Sequence, residues 1–108
     1  MWTIPPLPKL YSCISDPREP IGMRMRAAYF LRQQYANSSA NNEDEVLVDI
    51  IEKLCEALHQ REHGSLLRHE FAYVLGQIRD SNARTSLEEI LKNEAECVMV
   101  RHECAEAL

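Results

Sequence analysis

The chain has 108 residues, 45% of them apolar and 27% charged, with only three glycines and a net charge of −5. This length allows one domain with a modest core, and the acidic balance argues against nucleic acid as a partner. No apolar run approaches the roughly 20 residues that cross a bilayer, which argues against a membrane partner. The N-terminal "MWTIPPLPKL" has prolines where a signal peptide has its apolar helix, and the four cysteines form no C-x-x-C pair. The expectation is a cytoplasmic protein whose cysteines are reduced, small core residues.

In chain order, "PPLPKLYSCI" reads as a first, proline-started helix, and "RMRAAYFLRQ" (24–33) as a second. The polar stretch "ANSSANNEDE" (36–45) reads as a loop. "EDEVLVDIIEKLCEAL" (43–58) has apolar residues at 47, 50, 51, 54, 55 and 58, a helical stripe, with Glu43, Asp44 and Glu45 at its positive end. "QREHG" (60–64) is a tight turn. His59 and His63 read as surface histidines, and Ser65 as the cap of the next helix. That helix, "SLLRHEFAYVLGQ", is followed by the turn "RDSNA" (79–83) and by "SLEEILKN" (86–93), where Ser86 and Glu89 suggest a capping box. The chain closes on "VMVRHECAEAL" (98–108) without a C-terminal capping signal, which suggests truncation.

Two of these helices repeat each other at a spacing of 33 residues. Leu67, Arg68, His69, Glu70, Ala72 and Leu75 fall on Val100, Arg101, His102, Glu103, Ala105 and Leu108. A weaker copy upstream aligns Arg24, Ala28, Tyr29, Leu31 and Gln33 with Arg68, Ala72, Tyr73, Leu75 and Gln77, with Met25 and Arg26 in place of His-Glu. Three helix pairs at this period predict an all-α fold, a HEAT-repeat α-solenoid. The chain is one domain over 1–108, with repeats at about 5–35, 43–79 and 83–108.

At 100° per residue, Leu67, Phe71, Val74, Leu75 and Ile78 share one side, His69 lies opposite and Glu70 on the flank. On helices packed about 8–10 Å apart, His69 and His102 would project toward one point with Glu70 and Glu103 beside them. Two imidazoles and two carboxylates suit a first-row transition metal, iron better than a structural zinc. The competing reading is a solvated outer face. Leu66, Met99 and Tyr73 beside the histidines favour a partly enclosed site. Arg68 and Arg101 are expected to pair with nearby carboxylates. There is no Gly-rich phosphate loop, Ser-His-Asp signature or basic aromatic patch.

"LLRHEFAYVLGQ" and "VRHECAEAL", with "RMRAAYFLR" preceded by "DPREP", resemble the N-terminal half of deoxyhypusine hydroxylase. The resemblance covers most of the chain and is weakest at 1–14 and 36–45. It implies an iron- and O2-dependent monooxygenase that hydroxylates the deoxyhypusine residue of a translation factor, in hypusine biosynthesis, at a di-iron centre. On that resemblance His69 and His102 are direct iron ligands. Glu70 is a carboxylate ligand on the iron opposite its own histidine, and Glu103 is a ligand or a group that orients one. Complete family members have two halves and four His-Glu pairs, whereas this chain has two pairs. The missing C-terminal half, or a second copy, would supply the rest, and this chain alone would be incomplete and inactive. The rival readings are a non-catalytic HEAT-repeat scaffold and a HEAT-like lyase-type domain that binds a pigment without iron.

Overall fold

The apolar spacing closes into six helices in a computed structural model that describes residues 3–108. Met1 and Trp2, with which the predicted domain begins, lie outside the described residues. The helices are α1 (Leu7–Ser15), α2 (Ile21–Ala40), α3 (Asp44–His59), α4 (Ser65–Ile78), α5 (Arg84–Lys92) and α6 (Val98–Ala107). Short 3-10 turns, Arg61–His63 and Ser81–Ala83, precede α4 and α5, and there is no strand among the described residues. Consecutive helices pack as the pairs α1–α2, α3–α4 and α5–α6. Helix α4 lies between α2 and α6 in one layer, while α3 touches α1 and α5 in the other. This is the all-α, HEAT-like stack that the repeats imply.

One apolar stripe from each helix meets between the layers. Ile14, Leu31, Ile50, Leu58, Phe71 and Val100 are among the side chains fully withdrawn from solvent. Each contributes roughly 1.5–3 kcal/mol by burial. Gly76 lets α4 and α6 approach closely, because a Cβ built there would sit 2.9 Å from the Ala107 Cβ.

A second device recurs in all three repeats. Near the start of α2, α4 and α6 an arginine bonds a carbonyl ten residues upstream, at the end of the preceding helix. Arg24 donates to Ile14 at 2.8 Å, Arg68 to Leu58 at 2.6 Å and Arg101 to Leu91 at 3.0 Å. These carbonyls belong to the last turns, where no intrahelical donor remains, so a cation there offsets both the unmet acceptor and the negative end of the helix dipole. Arg68 also makes the expected carboxylate pair, bidentate to Glu96 at 2.9 and 2.8 Å. Arg101 departs from expectation, since it bonds a carbonyl and forms no ion pair among the described residues.

The structure corrects several local readings. Helix α2 runs through the first half of the predicted 36–45 loop to Ala40, with Gln33 and Gln34 bonding Asn37 and Ser38 one turn on. Asn42, in the left-handed region at φ 58°, makes the turn. Ser65 is the first helical residue, not a cap; Gly64, at φ 82°, stands before it. Helix α5 begins at Arg84 directly from the 3-10 turn, so Ser86 lies inside it and no capping box forms. His63 is buried, with Nδ1 against the Arg24 guanidinium and its ring edge-on to Phe71. Because arginine only donates, Nδ1 accepts and the proton of the neutral ring sits on Nε2. Burial, then the Arg24 charge, lowers the His63 pKa. Cys55 and Cys104 are core residues as expected and Cys13 is half-buried, whereas Cys97 is exposed ahead of α6.

Candidate metal centre

The four His-Glu residues sit on the layer formed by α2, α4 and α6, but the helices join them in an unforeseen combination. His69 on α4 faces Glu103 on α6, with Nε2 3.4 Å from Oε2. Both side chains are mostly withdrawn from solvent, 28% and 14% exposed. Glu70 turns toward the first repeat, where the Tyr29 hydroxyl donates to its Oε2 at 2.7 Å. That bond, followed by burial, pushes the Tyr29 pKa up to about 12. His102 points outward beside Glu106 of its own helix, with Nε2 and Oε1 3.7 Å apart and both side chains about 70% exposed.

His69 and His102 therefore do not converge. Adjacent helices of this layer are in a register that sets the histidine position of one repeat against the glutamate position of the next. The Tyr29–Glu70 bond follows the same register, from one repeat to its successor. Tyr29 entered the sequence reading only as a repeat-aligned position with no functional role, and Glu106 did not enter it. The recurrence of Tyr29 and Tyr73 at one repeat position was the available signal for the first.

The donors on this layer fit part of a metal's shell. Two ligands about 2.1 Å from one ion at a tetrahedral angle lie about 3.4 Å apart, the separation found between His69 Nε2 and Glu103 Oε2. A third donor is missing: among the described residues no group of three or more His, Cys, Asp or Glu side chains could hold an ion. The His69 Nδ1 is also buried without a hydrogen-bond partner. Metal-bound histidines usually donate that second N–H to an acceptor, and none is provided here.

Glu103, His102 and Tyr73 share the wall of an adjoining cleft of about 1110 Å³ with Asp80 and Glu106. Arg79 and Arg84 line it too, so its charge is mixed rather than acidic throughout. No helix among the described residues is long and apolar enough to cross a membrane.

Comparison with known proteins adds identity to this geometry. A sequence model for the PBS lyase HEAT-like repeat matches residues 67–93. The deoxyhypusine hydroxylase of Eremothecium gossypii is 38% identical over 104 residues, spanning 94% of this chain and 28% of the relative. That of Aspergillus niger is 35% identical over 104 residues, 96% of this chain and 29% of the relative. Deoxyhypusine hydroxylase-B of Oryza sativa subsp. japonica is 59% identical over 44 residues, 41% of this chain and 15% of the relative. The chain thus spans under a third of the length of these curated relatives. No solved structure matches it.

Proposed function

We propose that this chain, which resembles the deoxyhypusine hydroxylases over nearly its whole length, is part of such an enzyme. The substrate on this reading is the deoxyhypusine residue of a translation factor, and the cofactor is a di-iron centre completed by the remainder of a longer protein. As an enzyme of a translation factor it would work in the cytoplasm. The observation that carries the proposal is the His69–Glu103 pair, two donors from neighbouring repeats at a separation a first-row metal can bridge.

When bound, iron supplies O2 activation for hydroxylation of the deoxyhypusine side chain. This chain's part is to hold and orient. His69 presents Nε2 from α4 and Glu103 presents Oε2 from α6. Tyr29 fixes Glu70 through one carboxylate oxygen and leaves Oε1 free to ligate a metal whose other ligands come from elsewhere. His102, exposed at the edge of the layer, is available to a metal shared with a second body. Asp80 and Glu106 in the adjoining cleft favour the cationic, polyamine-like side chain of the substrate. The competing scaffold reading rests on one observation, the lack of a three-donor group among the described residues.

Metal analysis after anaerobic ferrous loading and gel filtration separates the two. The expected result is iron retained only when the remainder of a full-length relative is added as a second polypeptide. Retention should be lost in His69→Ala and in His102→Ala, and weakened about 10-fold in Tyr29→Phe, with helicity unchanged by circular dichroism. Iron retained in neither condition would leave the scaffold.

A further inference from the structure

We infer that the joint between the first and second repeats is an acid-sensitive device. A neutral His63 ties the two repeats together, and a protonated one drives the α1–α2 pair away from α3–α4.

The inference comes from one position that the two interior joints fill differently. The Arg24 guanidinium reaches across the first joint to His63, and that of Arg68 reaches across the second to Glu96. His63 and Glu96 each lie five residues ahead of their own repeat's arginine, so they are one structural position. At the second joint a carboxylate cancels the buried cation. At the first, Arg24 is 5% exposed, forms no ion pair among the described residues and has its Nε buried without a partner. What it meets instead is the Ile14 carbonyl and the Nδ1 lone pair of His63.

That lone pair exists only in the neutral ring. Protonation turns Nδ1 into a donor, and arginine, which has no acceptor and stays charged, cannot adapt. Two donors and two positive charges would then face each other in a site nearly closed to water, where charges are poorly screened.

The surroundings offer the cation little else. His63 has its ring edge-on to Phe71 of α4, and Arg68 on the same helix repels a second charge there. The cleft beside the ring, of about 380 Å³, brings in the Tyr11 phenol of α1 with Lys53 and Glu56 of α3. Glu62, the preceding residue, attracts the cation. Both Glu56 and Glu62 are exposed, however, and pairing with exposed carboxylates is weak. On the far side of Arg24, Asp16 is already bonded to Arg18, and burial keeps the Cys13 thiol protonated.

Burial, then Arg24, thus holds the folded pKa of His63 below its ordinary 6.5. Unfolding takes up a proton, so this joint is fully stable above about pH 6.5 and weakens as pH falls through the folded value. The Glu96 joint responds only below about pH 4.3, so the two joints open in different ranges. The Tyr29–Glu70 and Tyr35–Asp80 bonds span the same joint as His63, and opening it releases Glu70 from its tether. The device stands whether or not that layer holds metal.

Proton NMR of the imidazole rings and amide hydrogen exchange, between about pH 7.5 and about pH 5, test this on the intact chain. The His63 resonances should titrate below about pH 6.5. Protection factors, corrected for intrinsic exchange, should fall about 10-fold or more in α1 and α2 and much less in α5 and α6. His63→Glu, which copies the second joint, and His63→Gln, which stays neutral, should each hold α1–α2 protection through this range. A His63 ring that titrates at or above about pH 6.5 would overturn the inference, and that measurement needs no variant. An acid loss uniform over all six helices, or one undiminished in both variants, would overturn it equally.

Discussion

Glu96 and His63 stand at one repeat position, yet each is matched differently to the arginine that reaches it. Hydrogen bonds from Arg68 hold the Glu96 carboxyl below its ordinary pKa. The pair is almost solvent-free, with side chains 4% and 6% exposed. Removing Arg68 leaves the buried Glu96 carboxylate with only the exposed Arg61 guanidinium, 3.8 Å away, so Arg68→Met should lower stability by about 3 kcal/mol, the lower end for a broken buried pair. Urea unfolding of Arg68→Met beside Arg68→Met/Glu96→Leu checks this, with most of the loss recovered in the double variant. A depressed carboxylate pKa adds stability that is complete above its unfolded value, about 4.3, and lost as pH falls through the folded value. Wild type should accordingly lose this increment on acidification below about pH 4.3, and the double variant should not. Arg68 and its recurrence at Arg24 and Arg101 were legible in the sequence. Their carbonyl partners were not, because the path of a loop decides which acceptor lies within reach. His63 was misjudged for the same reason: the Gly64 turn suggested exposure, but the turn folds His63 inward against Arg24 and Phe71.

Helices α4 and α6 show what element packing adds. Their amphipathic spacing forecast both, and the close approach at Gly76 came only from setting one against the other. Gly76→Ala should gain roughly 1 kcal/mol of helix propensity. The new Cβ, 2.9 Å from the Ala107 Cβ, should lose about 1–3 kcal/mol by overpacking. The expected net effect is destabilisation, seen as a lower melting temperature with faster amide exchange in the last turn of α6. Gly76→Ala/Ala107→Gly should recover part of it, since the Ala107 Cα also lies within 3.0 Å of the added group. The boundary errors at α2 and α5 share a cause. Polar residues such as Ser38 and Ser86 usually mark caps, but inside a helix their hydroxyls can bond nearby groups without breaking it, as Ser38 does with Gln34.

At the scale of the whole molecule, each repeat of a stack is supported only by its neighbours. The α3–α4 pair is flanked on both sides, whereas α1–α2 and α5–α6 each have one open side. Native-state hydrogen exchange should therefore find the slowest amides in α3 and α4 and the fastest among the outer pairs. Equal protection in all six helices would contradict this gradient.

The repeat period, the helix pairing, the position of each apolar stripe and the four His-Glu residues were determined by the sequence itself. Each depends on local spacing, which a helix converts directly into a face. The partner of each of those four residues was decided only by tertiary structure. Helical spacing fixes the direction in which His69 points but not the register of α4 against α6, and a shift of one position in that register exchanges His102 for Glu103 as its neighbour. Register depends on the side chains that fill the seam, here including Gly76 against Ala107, and such packing is a property of two surfaces together.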